Sequence, residues 1–406
     1  MTGMIERFCA QGIAAWNETS PDIVLSPWYI GDEKRTQYEH QISVFYTDLR
    51  QYFHAFPKSK SAQAYWKEQG MDYLEACLKE GRLPLLDGMN ERECQLFQKI
   101  TTAFLRDVRA FDASLSLADV MQALRNVWII AILQCLFQKP IGYHPAMFAY
   151  SMLYPYSDNY LDDPSIPLAQ KQRFNAWFSA RLQGIQEPHH HPLEAKISDL
   201  VAMIETQFPR TEYAQVYDAL YAIHHGQMRS LHQQDGTKRC DDEALLAISY
   251  EKGGTSVVAD GFLMDGTLSE EQQDFCMRYG FMLQLGDDLQ DGTTDALAKH
   301  QTLVANHMDQ CQDELVKRLL HFTRDLLQPS SLCTDERLLH FVLHDCLYLI
   351  FLALMKEDGV RISSSLRKQI QSCLPVSPAF LASFREQCSF SFEEAQWWER
   401  IDALLL

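Results

Sequence analysis

Apolar residues recur along the chain at the three- and four-residue spacing of an amphipathic helix, whereas the alternation expected of strands is almost absent. The helical pattern is clearest in four segments: 97–111, 213–231, 275–289 and 338–355. No hairpin dipeptide joins two alternating runs, and Gly and Pro are sparse. The pattern therefore predicts an all-α protein.

Short polar segments, several of them with Pro or Gly, interrupt the helical pattern at fairly even intervals. We predict breaks between helices at 58–61, 184–192, 233–242, 291–294, 328–336 and 375–378. Short connections favour helices packed side by side over domains joined by long linkers. The expected architecture is one large α-helical bundle that spans residues 1–406 as a single domain.

Composition and charge narrow the range of partners. The 406 residues are 47% hydrophobic, which is ample for a large core, and they carry a formal net charge of −18. A strongly acidic chain disfavours a nucleic-acid partner and adsorption to an anionic membrane, because both need basic faces. Such a protein can still bind a diphosphate where divalent cations bridge the like charges.

The cysteines and the apolar stretches indicate the cellular compartment in which we expect the protein. The eleven cysteines include no C-x-x-C pair, and an odd number without a framework is typical of a reducing cytoplasm. Residues 1–11 lack the features of a secretory signal. The longest apolar stretches are 127–137, too short for a bilayer, and 338–355, which two histidines and an aspartate interrupt. We expect a cytoplasmic protein with no transmembrane segment.

Two acidic clusters, at 158–163 and 287–291, fall on predicted helices. Residues four apart share a helix face and lie about 6 Å apart along the axis, which applies to two pairs of side chains: Asp158 with Asp162, and Asp287 with Asp291. Carboxylates this close repel one another, and Mg²⁺ relieves the repulsion because it takes oxygen ligands. One acidic run is usually a solvated surface, but two of the same kind favour a metal site.

Helix polarity supports the same interpretation. Ser269 followed by Gln272 resembles a capping box, so a helix is predicted to start there, and Gly292 is a candidate stop. The second cluster would then occupy the last turn, where the helix dipole favours a cation. Pro164 is predicted to end the helix of the first cluster, and Pro155 is a candidate kink within it.

The second cluster carries a resemblance to a known family. Residues 280–291 read Gly-Phe-Met-Leu-Gln-Leu-Gly-Asp-Asp-Leu-Gln-Asp, which resembles the second Asp-rich motif of trans-isoprenyl diphosphate synthases, G-x-x-F-Q-[IV]-x-D-D-x-x-D. Leu283 and Leu285 are the two departures, and both stay apolar. Residues 158–162 resemble the first motif, DDxxD, with Asn159 in place of its second Asp.

Three weaker matches follow the order of the family. Gly226-Gln227 resembles the G-Q-x-x-D helix, with Ser instead of Asp at position 230. Residues 250–255 resemble the K-T element through Lys252, and residues 299–303 resemble the G-K-x-T-L stretch. The resemblance runs from 158 to 303, within a motif-bearing core of about 143–303.

The resemblance implies an isoprenoid synthase bundle around a central cavity, with three Mg²⁺ ions that bridge both clusters to an allylic prenyl diphosphate. It implies metal ligands or their close supports at Asp158, Asn159, Asp162, Asp163, Asp287, Asp288 and Asp291, of which Asp158, Asp162, Asp287 and Asp288 are the catalytic candidates. The candidate diphosphate contacts are Lys252, Arg229, Lys299 and Gln227, and the candidate cavity residues are Ser151, Tyr154, Leu283 and Gln284. Because the family often dimerises, a homodimer is a further expectation.

Two departures favour a terpene cyclase over a condensing enzyme. Chain-elongating synthases carry a double Arg after the first motif, where this chain has Pro-Ser-Ile-Pro at 164–167. They also carry an upstream G-K-x-x-R-P element, which residues 81–84 match only weakly. A second diphosphate site is therefore hard to support from the sequence, although a prenyltransferase that condenses two diphosphates stays an alternative.

Two further alternatives belong to other classes. Loss of a charge at Asn159 would suit a non-catalytic relative that binds prenyl chains or serves as a partner subunit, but the complete second motif counts against it. A metal phosphohydrolase would use His340, His344 and Asp345, a set that is short and lies in an apolar helix. The histidine run 189–191 could hold a metal, yet prolines flank it as in a solvated loop.

Overall fold

The computed structural model describes residues 2–80, 82, 88–140, 142–163, 165–234, 239–356, 358–387 and 393–405. Within these ranges the secondary structure is helical, without a strand. The all-α prediction is therefore confirmed. None of the ten cysteines in the same ranges forms a disulfide.

The described ranges contain sixteen α-helices, and short 3₁₀ turns connect some of them. Their bounds are α1 (Thr2–Glu18), α2 (Asp32–His54), α3 (Lys60–Lys79), α4 (Glu91–Phe111), α5 (Leu117–Leu136), α6 (Pro145–Asp162), α7 (Leu168–Leu182), α8 (Pro192–Gln207), α9 (Ala214–Ser230), α10 (Asp242–Asp265), α11 (Glu270–Ala298), α12 (Asp313–Leu326), α13 (Glu336–Leu354), α14 (Ser364–Cys373), α15 (Pro378–Gln387) and α16 (Glu394–Leu405).

Most of the predicted helix ends are correct. Five of the six predicted breaks separate consecutive helices, and α6 ends at Asp162, just before the expected stop. The capping box that opens α11 is present: the Ser269 Oγ accepts from the Gln272 N–H at 3.1 Å, and the Gln272 Oε1 accepts from the Ser269 N–H at 2.9 Å. Pro155 lies inside α6, and Pro164 lies outside the described residues.

The predicted stop at Gly292 is wrong, because α11 continues to Ala298 and ends on Lys299 in the left-handed conformation. Gly292 is buried within the helix, and a Cβ there would lie only 2.8 Å from the Val304 Cγ1 atom and 3.2 Å from the Met308 Sδ atom. This glycine therefore permits close packing and does not end the helix. The second acidic cluster lies in mid-helix, where the argument from the helix dipole does not apply.

Helices α10 and α11 meet backbone to backbone. A Cβ on Gly280 would overlap the carbonyl of Gly253, and a Cβ on Gly253 would overlap the carbonyl of Gly280. Since no side chain separates the two helices here, their relative position is fixed by main-chain contact. On α10 the contact is next to Lys252 in the sequence, and on α11 it precedes Asp287 by two helical turns.

Asp260 is an acidic side chain inside α10 that is fully buried. Neither carboxyl oxygen has a hydrogen-bond partner among the described residues. Burial raises the pKa of Asp260 well above its usual value of 3.8, so the folded protein favours the protonated carboxyl.

Helices α5 and α13 are long and apolar enough to cross a membrane by length and composition alone. Within the most apolar stretch of each, 50% and 56% of the residues are buried in the protein. Core helices of soluble proteins share these properties, so the expectation of no transmembrane segment stays a prediction.

Candidate functional site

A cavity of about 790 Å³ lies among nine of the described helices, namely α3 to α7, α9 to α11 and α13. Most of its wall is apolar or aromatic, and its volume is in the usual range for small-molecule sites. Polar side chains gather at one end, which we call the acidic end: Arg125, Asp158, Gln227, Lys252, Gln284 and Asp287.

Asp158 reaches the cavity from the last turns of α6, and only 6% of the residue is exposed. The Gln227 Nε2 group donates a hydrogen bond to the Asp158 Oδ1 atom, which fixes the carboxylate from the opposite helix, α9. Gly226 makes this possible, because a Cβ there would lie 3.3 Å from the Lys252 Cα atom. The small residue lets α9 approach α10 closely.

Asp287 and Asp288 are adjacent but point into different surroundings. Asp287 is exposed and lines the cavity, whereas Asp288 is 4% exposed and lies among the helices behind it. The Asp288 carboxyl accepts hydrogen bonds from the Gln284 Nε2 group at 2.9 Å and the Ser249 Oγ group at 3.3 Å. Burial and, more weakly, the charge of Asp287 raise the pKa of Asp288 to about 7, against the lowering effects of Gln284 and Lys252. Asp288 therefore supports its neighbour and does not itself face the cavity.

Asp291 is half-buried and is not part of the cavity wall. Burial and the charge of Asp287 raise its pKa, while the charges of Lys356 and Arg125 lower it. The prediction that Asp291 stays near Asp287 holds, but Gln290 takes its place in the wall. Asp291 acts on the site through charge.

Two other members of the first cluster, Asn159 and Asp163, form local hydrogen bonds instead. The Asn159 Nδ2 group donates to the Asp119 Oδ1 atom at 2.8 Å, and Asn159 does not line the cavity. Asp163 follows the end of α6 and accepts from the Ser165 N–H at 2.8 Å, an interaction that lowers its pKa. The structure therefore does not support the metal-ligand prediction for Asn159 or Asp163, because local contacts hold both side chains. The side chain of Asp162 lies outside the described residues.

The four predicted diphosphate contacts divide into two pairs. Lys252 and Gln227 line the cavity. Arg229 forms an ion pair with Glu251 outside the cavity wall, so the prediction for it is not supported. Lys299 caps the end of α11, about 18 Å of helix beyond Asp287, and is exposed there. That distance removes Lys299 from the acidic end.

Three of the four predicted cavity residues, Tyr154, Leu283 and Gln284, line the cavity. Ser151 does not, because it is fully buried where α6 packs against its neighbours. Its Oγ atom has no hydrogen-bond partner within the described ranges.

Arg125 is a cavity residue that the sequence reasoning missed. It projects from α5 at the acidic end, and its charge lowers the pKa of Asp291. Gln122 and Asn126 line the cavity beside it. A signal was present, since these three polar residues share one side of a mostly apolar helix. However, α5 lies outside the segment that resembles the family.

Asp345 also lines the cavity, on α13 and away from the acidic end. The sequence grouped it with His340 and His344, whose rings lie 3.9 Å apart. Yet the described residues contain no group of three or more His, Cys, Asp or Glu side chains that could hold a metal ion by themselves. Within the described residues this holds for the set of His340, His344 and Asp345, for the histidine run 189–191 and for the two acidic clusters alike.

The chemistry of the acidic end fits Mg²⁺ shared with a ligand. Asp158 and Asp287 offer carboxylate oxygens to the same cavity. Mg²⁺ is commonly held by one or two carboxylates together with substrate phosphates and water, and a cage made only of protein side chains is not required. The described donors do not form such a cage by themselves.

Comparison with known protein families, with curated proteins and with solved structures finds no match for this chain. A functional interpretation therefore depends on the motifs and on the geometry of the cavity.

Proposed function

We propose that the protein is a Mg²⁺-dependent class I isoprenoid synthase that ionises an allylic prenyl diphosphate and, as a terpene cyclase, releases pyrophosphate. One observation carries the proposal: Asp158 and Asp287, from distant parts of the sequence, line one end of the same apolar cavity. A substrate with a diphosphate head and a hydrocarbon tail matches this division into a charged end and an apolar volume.

The cationic side chains at the acidic end would bind the diphosphate head. Lys252 and Arg125 both line the cavity there, and their charges complement the phosphate oxygens. Gln227 keeps the Asp158 carboxylate oriented toward the same space. Bound Mg²⁺ would supply neutralisation of the negative charge that develops on the leaving pyrophosphate.

The apolar wall would fold the hydrocarbon tail and keep water from the allylic cation. Aromatic side chains contribute to this wall from several helices, among them Phe97, Trp128, Tyr150 and Phe178. Aromatic faces stabilise positive charge, and exclusion of water prevents its premature capture. The proposed site thus combines ionisation at one end with an apolar space for ring closure.

The described residues favour one diphosphate over two. Arg82 is the basic residue of segment 81–84, the weak match to the upstream element. It pairs with Glu80 at 2.9 Å and does not line the cavity. The other residues of segment 81–84 lie outside the described residues. A condensing prenyltransferase needs a second anion site, so cyclisation of a single substrate is the better proposal.

Incubation of the purified protein with prenyl diphosphates of graded length, with and without Mg²⁺, tests the proposal. We expect Mg²⁺-dependent release of pyrophosphate together with a cyclic hydrocarbon from a single substrate. Addition of isopentenyl diphosphate is the control, because a longer diphosphate that forms only with both substrates would identify a prenyltransferase. A folded protein that releases no pyrophosphate from any of them would contradict the proposal and support a non-catalytic relative.

A further inference from the structure

One side of α13 presents an acidic residue to the apolar part of the cavity. Phe341, Asp345 and Leu349 are spaced four residues apart, and all three line the cavity. Leu349 is 51% exposed, and Asp345 is also exposed, so both project into open volume. Among the described lining residues, the carboxyl groups are those of Asp158, Asp287 and Asp345.

Asp345 lies far along the cavity from the carboxylates of Asp158 and Asp287. Its chain neighbour Cys346 places its Sγ atom 3.8 Å from the Tyr279 hydroxyl of α11. Tyr279 precedes Asp287 by two helical turns, which corresponds to about 12 Å along the axis. Ile350 lies beside Gly286, so α13 runs along α11 in the same direction. Asp345 therefore stands at the depth that the hydrocarbon tail of a prenyl diphosphate would occupy.

The surroundings of Asp345 are unfavourable for a negative charge that has no counterion. Phe341, Leu349 and Ile350 line the same part of the cavity, and burial raises the pKa of Asp345. A carboxylate in such a place attracts a nearby cation, because the apolar side chains around it screen the charge less than bulk water does. An uncharged hydrocarbon offers no such compensation.

His224 is the other titratable candidate, and it fits less well. Its Nε2 atom lies 3.2 Å from the Asn175 carbonyl oxygen and 2.8 Å from the Ser179 hydroxyl. Burial lowers the pKa of His224 to about 4, so the ring is neutral and provides no countercharge. It also lies one turn from Gln227, near the acidic end.

We propose that Asp345 stabilises the distal carbocation of the reaction and accepts the proton that ends it. The inference rests on the proposed function. In the last step, a C–H bond next to the cationic carbon breaks, and its electron pair forms the new C=C bond. The proton passes to a carboxylate oxygen of Asp345, and it leaves to water after the neutral alkene departs.

Product analysis of Asp345→Asn and Asp345→Glu provides the first test. In Asp345→Asn we expect the terminal alkene to fall at least about tenfold relative to pyrophosphate released, with earlier alkenes or water-captured alcohols in its place. Asp345→Glu should restore part of the alkene. The matched control is Glu336→Gln, an exposed change of the same charge on the same helix. An unchanged product distribution in Asp345→Asn would overturn the inference.

Binding of a prenyl chain that carries a tertiary ammonium, measured without Mg²⁺ against its uncharged isostere, provides the second test. We expect Asp345→Asn to weaken the cation about tenfold or more and the neutral chain little. Equal weakening of both, or of neither, overturns the inference. If the wild type shows this cation preference but releases no pyrophosphate, the proposed function fails and the cation site stands. If pyrophosphate is released without any role for Asp345, only the inference fails.

Discussion

The two acidic clusters reach one cavity from helices that are held in different ways. The second cluster is carried by α11, whose backbone touches that of α10 at Gly280 and Gly253. The first cluster ends α6, where side-chain hydrogen bonds hold it: Gln227 to Asp158, and Asn159 to Asp119. Main-chain contact fixes one cluster, and adjustable side chains place the other.

This difference explains how each cluster could be read from the sequence. A close helix crossing needs particular residues at particular spacings, so the glycines and the Asp-rich segment occur together in 280–291. Side-chain contacts from other helices tolerate more variation, and the first cluster departs from the family pattern at Asn159. We infer that the second cluster is the fixed anchor of the site and the first is the adjustable side.

The largest expected effect is loss of the anchor carboxylate. Asp287→Ala should lower the rate of pyrophosphate release about a thousandfold, because the donor that faces the cavity is removed and α11 cannot move to replace it. Asp158→Ala should lower it less, about a hundredfold, since water can complete a shell on the adjustable side. Steady-state kinetics with a prenyl diphosphate measure both rates.

Asp274→Ala is the control for these two variants. It lies on α11 outside the cavity wall and removes only an ion pair with Arg278 at 3.0 Å. We expect activity close to that of the wild type. Equal losses in Asp287→Ala and Asp158→Ala would remove the distinction between anchor and adjustable side.

The helix crossing itself provides the next effect. Gly280→Ala forces a Cβ into the Gly253 carbonyl, so we expect the free energy of unfolding to fall by about 3 kcal/mol. Gly286→Ala is the matched control on the same helix, because the nearest atom to its Cβ is the Ile350 Cγ1 at 4.0 Å. It should be neutral or stabilising by about 0.5 kcal/mol. Chemical denaturation that finds the two variants equally stable would contradict a main-chain contact.

The buried carboxyl of Asp260 in α10 makes the stability of the fold depend on pH. The folded state keeps Asp260 protonated after the unfolded chain has ionised it, so stability is full below the unfolded pKa and falls as the pH rises toward the folded pKa. Asp260→Asn removes this titration. At pH 7 the variant should be more stable than the wild type by roughly 1–3 kcal/mol.

Denaturation of the wild type and Asp260→Asn between about pH 5 and about pH 8 measures the response. The difference between the two proteins isolates Asp260, because the other acids are common to both. A difference that does not grow with pH would mean that the carboxyl is already ionised in the folded protein.

The smallest effect concerns the adjustable side. Asn159→Asp restores the family motif, but it replaces the donor to Asp119 with a second carboxylate. We expect no gain in pyrophosphate release and a loss of about 0.5–1 kcal/mol in stability. A double-mutant cycle with Asp119→Asn should recover most of that loss. Higher activity in Asn159→Asp would show that residue 159 turns toward the metal site after all.

Much of the helical framework could be predicted from local signals. Apolar periodicity located α4, α9, α11 and α13, and the Ser269 capping box marked the start of α11 correctly. The end of α11 was missed because Gly292 has two physical uses. A glycine near a helix end often stops the helix, but this one makes room for Val304 and Met308. Only the tertiary packing distinguishes the two uses.

The candidate site was predictable where its residues fall within the motifs. Asp158, Lys252, Gln284 and Asp287 all line the cavity. Arg125 and Asp345 were not placed at the site, since they lie on α5 and α13, outside the segment that resembles the family. Arg229 and Lys299 matched family positions, yet an ion pair and a helix cap hold them elsewhere.

Pro155 makes α6 the more flexible side of the cavity wall. A proline inside α6 has no N–H to give the carbonyl one turn back, so this helix lacks a backbone hydrogen bond close to Asp158. The opposite wall, in which two main chains press together, has no comparable hinge. When substrate enters and product leaves, we therefore expect the last turns of α6 to move, while α10 and α11 keep their positions.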